Sequence, residues 1–456
     1  MKNYSTKFTY ILSFFIALGF TGCDDMLDVD LPANQLSSST VYASDPTAEA
    51  AVNGIYLSMV NDTYYNLMHT TLGQTSDELI LSSFLTNVYS TNEIPDNDGN
   101  MSAMWTSFYK TVYNANSVIE GISKSTTLTP SKSARWTAEA KFLRAYCYFN
   151  LTNLWGRVPL ILTTNVDQSS LAPQSSQEAV YAQIIADLTE ASRNLPVNYS
   201  SYGDERIRAT KWAAEALLAR VNLYLGRWSE AADHASAVIN QTGTYEIITG
   251  LTDDNSPFIA DNAEAILQIP YANNSFTYEG SALFTDAGTY LLRKGNTIFE
   301  TDDARKSNWT VDVYDTNDNF IGIAPRKYKN AYGDSPFERS TLLRLGELYL
   351  IRAEARVRSN DILGAQQDIN VIRNRALLES TTLNDANQLL ELIALERERE
   401  LFAEFGHRWM DLKRTGKLNE TLSVLSDKIW SPTDNLYPIP EEAIRSNPFL
   451  NQNSGY

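Results

Sequence analysis

Two kinds of residue in this sequence have the types and spacing to do chemistry: acids placed close together, and aromatic side chains set in polar stretches. Glu396, Glu398, Glu400, Glu404, His407 and Asp411 bring carboxylates and an imidazole into one short segment, the material of general acid–base catalysis. Yet Arg397 and Arg399 alternate with the acids, and Leu392, Leu395, Phe402 and Phe405 mark an apolar face. The segment therefore reads as a charged helix laced by ion pairs and ended by Gly406, with His407 as a hydrogen-bonded tether. Asp77 and Glu78 are a second close pair and adjoin a polar loop. Glycoside hydrolysis needs two carboxylates at a defined separation, one of them with a raised pKa, so a helical glycosidase stands as an alternative. No catalytic residue is assigned.

The aromatic residues point to binding. A sugar offers flat C–H faces to aromatic rings, each contact worth roughly 1 kcal/mol by analogy with ring pairs, and hydroxyls to Asn, Asp, Glu and Arg. Phe84 and Tyr89 lie in the polar stretch Leu79–Asn100, and Tyr271, Phe276, Tyr278, Tyr290 and Trp309 in a second one. Asp77, Asn87, Arg293 and Asn308 are the matching polar candidates. Trp309 leads, because a Trp between Asn308 and Thr310 has no obvious core partner; its alternative role is to pin the loop to the body. Tyr271 ends an expected strand and is assigned to packing. Trp105, Trp136, Trp155, Trp212, Trp228 and Trp409 sit in or beside helical patterns and are expected in the core.

Metal chemistry finds little support. The three histidines, His69, His234 and His407, lie far apart without paired spacing. Asp96-Asn97-Asp98-Gly99-Asn100 has the start of a calcium loop without its closing Glu and reads as a turn. No phosphate-cradling glycine loop or nucleophile elbow occurs. No metal or cofactor is expected.

The N-terminus carries a different chemistry. Lys2 and Lys7 precede a short apolar run, Tyr10 to Phe20, and then Phe20-Thr21-Gly22-Cys23. Small residues before a cysteine behind such a run resemble a bacterial lipobox, although Phe20 is bulkier than the usual Leu. Residues 1–22 are then a signal peptide, Cys23 carries acyl chains, and residues 23–45 form a polar tether. With Cys23 acylated, Cys147 has no disulfide partner and is expected as a small core residue. The formal net charge of -18 repels phosphate backbones, so nucleic acid is excluded as a partner. An acidic exported chain with 25 Tyr and 8 Trp has the composition of a neutral-sugar binder.

The elements that must position these residues are repeated helix pairs. In Lys211–Asn240, Trp212, Ala216, Leu217, Ala219, Leu223 and Tyr224 are spaced for one helix face, Gly226-Arg227-Trp228 turns, and Ser229 is placed to cap an alanine-rich helix. A second unit starts at Leu342, with Ala353 and Ala365 on the positions of Ala219 and Ala231. Ala134–Leu154 with Gln177–Leu195 make a third, and Thr47–Val60 with Ala103–Ile122 a fourth. This layout matches tetratricopeptide repeats, which stack because no single pair buries its own apolar face. Residues 46–456 are expected as one domain, mainly α, with repeats over roughly 47–240 and 340–430. The loop-rich stretch 241–338 has short strands at Ala265–Tyr271 and Arg326–Tyr328, and long irregular insertions on a rigid frame usually carry function.

Several stretches, in order, resemble the SusD/RagB family over nearly the whole mature chain. They are Ala48–Met59, Gly73–Ile80 with Ser76-Asp77-Glu78, Lys141–Tyr146 followed by Asn153–Leu160, Glu396–Leu401 with Gly406–Arg414, and Pro438–Tyr456. The resemblance implies a tetratricopeptide-like bundle with a loop-built ligand face, lipid-anchored on the outer-membrane surface of Bacteroidetes. There Asp24-Asp25 beside Cys23 resembles a surface-export signal. It also implies capture of a glycan, or less often a peptide, for a SusC-like TonB-dependent transporter that the protein covers as a lid. Besides the glycosidase, the other alternative is a repeat scaffold that binds peptides or proteins. Family motifs do not fix the ligand-contacting positions.

Overall fold

Helix ends fall where local chemistry places them. In the computed structural model, which describes residues 38–61, 63–82, 86–269, 277–283, 289–330 and 337–456, the first long helices are α1 (Asp45–Asn61), α2 (Thr63–Thr75), α3 (Gly99–Lys124) and α4 (Pro130–Trp155). They are followed by α5 (Gln177–Asn194), α6 (Lys211–Tyr224) and α7 (Trp228–Ile239). Asp98 caps α3 by accepting from the Met101 N–H at 2.8 Å, so Asp96–Asn100 is a turn and helix start. Pro130 opens α4, where its missing N–H costs nothing. Arg227 rather than Ser229 precedes α7, which already begins at Trp228.

Beyond an irregular insertion come α8 (Ala304–Trp309), α9 (Leu345–Arg358), α10 (Ile362–Arg375), α11 (Ala386–Leu401) and α12 (His407–Arg414). Each long helix from α3 to α7 packs on the next, and α7 then packs directly on α9, which carries α10 and α11. The insertion between Ile239 and Leu345 thus interrupts the stack in sequence but not in space. Ala219, Ala231, Ala353 and Ala365 are all fully buried, the equivalence expected from the two alanine-marked pairs. Flanked by α3 and α5, α4 is buried at nearly every position from Ala138 to Trp155, Cys147 included. Five of the six helical tryptophans are buried, and Trp228 packs partly buried against the core. No helix of the described residues is long and apolar enough to cross a membrane.

Short strands tie the insertion down. β1 (Leu79–Leu81) pairs antiparallel with β3 (Tyr290–Leu292), Leu79 opposite Leu292. β2 (Ala265–Ile269) pairs with β6 (Ser340–Arg344), and β4 (Thr310–Tyr314) with β5 (Phe320–Pro325). The strand expected at Arg326–Tyr328 is corrected: β5 ends at Pro325, because the Lys327 ammonium is drawn inward to the Glu404 carboxylate at 2.5 Å and the Glu400 carbonyl at 2.7 Å.

The ion pairs expected along 396–411 exist, but they are buried. Arg344 donates to Glu264 at 3.1 Å, to Glu400 at 2.5 Å and to both oxygens of Glu404 at 2.8 and 2.9 Å. Arg375 joins Glu400. Arg305 clasps Asp303 at 2.8 and 2.9 Å and reaches Glu396 at 2.9 Å. The network couples the insertion, β2–β6, α10 and α11 into one body, and burial of so many ions is tolerable only because each is matched. The apolar face drawn through Leu395 is corrected: Leu395 is 46% exposed, and Leu389 and Ile393 are the residues packed with Ala353 and Ile369. Burial pushes the His407 imidazole down to about 4, so it is neutral and structural.

Candidate functional site

Most of the sequence candidates turn out to serve the frame. Trp309 is fully buried among Phe258, Phe402 and other apolar side chains, with the Arg375 guanidinium and the Lys327 ammonium each 4.8 Å from its ring centroid. It pins the insertion to the corner between α11 and α12, so the expectation that it faces a ligand is corrected. Its polar sequence neighbours are misleading because the charges next to it are themselves buried. Tyr89 is also buried, and its hydroxyl donates to the Asp98 carboxylate at 2.8 Å. Asn87 caps the short helix Val88–Thr91 and donates to Gln74 at 2.9 Å.

Asp77 is held in a bidentate pair with Arg408 at 2.6 and 2.7 Å and lies 3.1 Å from the Lys294 ammonium. Against its burial, these two cations hold its carboxyl down at about 2. Burial pushes its neighbour Glu78 the other way, up to about 8. The void lined by Lys327 and Ala403, two residues that act on Glu78, is about 10 Å³, too small for a sugar. The pair has divergent ionisation, and neither carboxylate is in the lining of the cavities of about 410 and 10 Å³ that their partners Arg408 and Lys327 border.

Arg293 forms a bidentate pair with Asp427 at 2.7 and 2.9 Å. Tyr278 and Tyr290, half-buried, do come together: burial raises both phenols, and both are within hydrogen-bonding reach of the Thr70 hydroxyl. Phe84, Tyr271, Phe276 and Cys23 lie outside the described residues.

The insertion builds a different surface. The β4–β5 hairpin packs one face on β3 through Val313, Ala324 and Leu291. The fit is close: a Cβ on Gly322 would stand 3.0 Å from Leu291 Cδ1. Because side chains alternate along a strand, Thr310, Asp312 and Tyr314 share the opposite face. Tyr314 is paired across the ladder with Phe320, their ring centroids 5.8 Å apart and the planes at 71°. The two residues are 54% and 50% exposed, and Ile321 beside them is 40% exposed. The turn between them is set by Asp315, whose carboxylate accepts from the Asn317 N–H at 2.8 Å and the Asn319 N–H at 2.9 Å. The Asn319 side-chain amide, together with those two N–H donors, holds Asp315 below the usual carboxylate range.

Thr310, Val311 and Asp312 of β4 line an open cleft of about 1080 Å³ walled by α8, with Asn308, Lys306 and Ser307 on its side and Leu377 at its lip, and the two rings lie outside that lining. Among the described residues, Asn308 is therefore the one proposed contact residue that lines this cleft. The arrangement offers apolar ring surface beside a wall of amides, hydroxyls and carboxylates, the two ingredients of sugar binding. Sequence reasoning passed over Tyr314 and Phe320. Their signal was available: two aromatics bracketing Asp315-Thr316-Asn317-Asp318-Asn319, a turn-rich segment between alternating apolar residues.

His69 and His234 serve pairs, with Glu279 at 3.1 Å and Glu215 at 2.6 Å. Among the described residues no cluster of His, Cys, Asp and Glu has the composition of a metal site.

Comparison with known proteins places this geometry. Residues 26–223 match a family described as starch-binding associating with outer membrane, and residues 270–456 match the SusD family. A SusD-like protein of Formosa agariphila, P25, is 25% identical over 98% of this chain and 99% of its own length. A SusD-like protein of Bacteroides ovatus is 26% identical over 87% of this chain and 80% of its own. Among solved structures, a SusD-like protein from Bacteroides fragilis superposes with a TM-score of 0.73 at 25% identity, covering 94% of this chain and 100% of that one. A SusD-like carbohydrate binding protein from the same species reaches 0.77 at 20% identity, covering 90% and 100%.

Proposed function

Because the chain belongs to the SusD/RagB family, we propose that it is a cell-surface lipoprotein that captures a glycan and delivers it to a SusC-like TonB-dependent transporter in the outer membrane. The observation that carries the glycan reading is the Tyr314–Phe320 pair, half-exposed on a pinned hairpin whose strand β4 borders the polar cleft through Thr310, Val311 and Asp312. Two large rings held in water by a pre-formed turn cost solvation unless a ligand covers them. The matched family is described as starch-binding and the Bacteroides fragilis structural neighbour as carbohydrate binding, which is the same ligand class.

Binding proceeds without turnover in this reading. Asp77 is committed to Arg408 and Lys294, and Glu78 lies buried, so neither is placed to act on a sugar in the cleft. Lipid on Cys23 holds the body at the membrane, and the repeat face is left for the transporter.

A glycan screen on the 24–456 fragment tests the capture step: retention by at least one oligosaccharide without release of new reducing ends is expected. Turnover, or no retention across a broad panel, overturns it. Cys23→Ala should move the protein out of the membrane fraction, and wild type should co-purify in mild detergent with a large β-barrel partner. A variant that stays with the membrane, or the absence of a barrel, contradicts the anchored-lid role.

A further inference from the structure

Helix α10 runs from the repeat frame to the glycan cleft, where Arg375 and Leu377 join the lining. After Ala376 the chain enters the left-handed region at Leu377, with φ 61°. The Leu377 N–H donates to the Asn374 carbonyl at 3.0 Å and the Leu378 N–H to the Arg373 carbonyl at 2.9 Å, the paired bonds that close a helix C-terminus. Helices α6, α9 and α12 close with the same pair of bonds, and their left-handed positions hold Gly226, Asn360 and Gly416. Glycine and asparagine tolerate that backbone, whereas the Cβ of a leucine is strained there.

Packing does not account for the exception. Leu377 is 73% exposed, and the apolar position that usually accompanies such a turn is filled by the next residue, Leu378, which is buried. The turn is nonetheless held firmly. The Ala304 N–H donates to the Ala376 carbonyl at 3.0 Å, which ties it to the first residue of α8, the wall of the cleft. Leu377 therefore stands at the lip as a fixed apolar group open to solvent, while Leu251 and Phe299 in the same lining are buried. A strained residue that adds nothing to the core and borders a binding cleft has the pattern of one kept for function at some expense of stability.

We propose that Leu377 is a contact residue of the glycan cleft, packing its side chain on the apolar C–H surface of a captured sugar. The inference rests on the glycan reading above and adds to it a second apolar element, carried by α10 and separate from the Tyr314–Phe320 pair. Removing this side chain should weaken binding without weakening the fold, an outcome that a purely structural leucine would not give.

The test compares the full chain in mild detergent with its Leu377→Gly, Leu377→Asn and Leu377→Met variants. Each is unfolded in urea and titrated calorimetrically with the oligosaccharides of the capture screen, maltohexaose, cellohexaose, laminarihexaose and xylohexaose among them. Leu377→Gly and Leu377→Asn should unfold at the same or a higher urea concentration, because both residues suit the left-handed turn. They should bind the oligosaccharide that wild type retains about fivefold more weakly, the loss expected when one partly covered aliphatic side chain is removed. Leu377→Met keeps an apolar group and should stay within about twofold of wild type. A lowered unfolding midpoint in both the Gly and the Asn variant assigns Leu377 to the fold and overturns the proposal. Wild-type binding matched by both variants overturns the contact alone, whereas a wild type that binds no member of the panel overturns the glycan reading and this contact with it.

Discussion

Replacing Glu78 with Gln should stabilise the protein at alkaline pH and leave it nearly unchanged in acid. The Glu78 carboxyl is fully enclosed, and burial raises it from 4.5 to about 8. Between those two values the unfolded chain has lost the proton while the folded chain keeps it. Folding there must take up a proton, so stability falls as pH rises. Each unit is about 1.36 kcal/mol, so from pH 5 to pH 8 the loss assigned to this group is about 3 kcal/mol. Gln is neutral at both values, and its oxygen can still accept from the Ala403 N–H that Glu78 engages. Asp77, held down at about 2, is ionised in both states across this window and contributes a constant. The assay is urea denaturation of wild type and Glu78→Gln at pH 5 and pH 8. The difference between the proteins should widen in favour of the variant by about 3 kcal/mol at the higher pH. Parallel pH dependences, or a variant less stable at pH 8, would refute the assignment of a protonated buried acid.

Trp309→Ala should unfold the insertion's attachment, with a stability loss of about 3–5 kcal/mol in chemical denaturation. An unchanged midpoint with weakened ligand binding would instead return Trp309 to the ligand surface. Gly346→Ala is a sharper probe of the ion network, because a Cβ there would stand 2.6 Å from Arg344 Nη1 and 2.8 Å from Glu264 Oε1. Helix propensity alone favours Ala by about 1 kcal/mol, whereas a displaced buried ion pair costs about 3–5 kcal/mol. A net loss of about 2 kcal/mol or more is expected, and a gain in stability would show that the network yields freely.

The repeat frame was legible because its chemistry is local. Ala219, Ala231, Ala353 and Ala365 mark helix crossings where only small side chains fit, and all four are buried as their spacing implied. The helix α2 was missed because its Tyr, Asn and Thr content reads as loop until α3 supplies a packing partner. The site was less legible for a definite reason. In a polar stretch an aromatic looks stranded, but Arg375 and Lys327 are drawn inside by Glu400 and Glu404 and cover Trp309. Asp77, Tyr89 and Asn87 likewise spend their polar atoms on partners distant in sequence or on a local cap. Tyr314 and Phe320 flank a turn, and their exposure follows from the hairpin's register rather than from composition.

The most direct measurement is calorimetric titration of the best glycan from the screen into wild type and into Tyr314→Ala/Phe320→Ala. Loss of two ring contacts at roughly 1 kcal/mol each predicts about 30-fold weaker binding, with the unfolding midpoint preserved because both rings are half in water. Equal affinity in the two proteins would contradict capture at the hairpin.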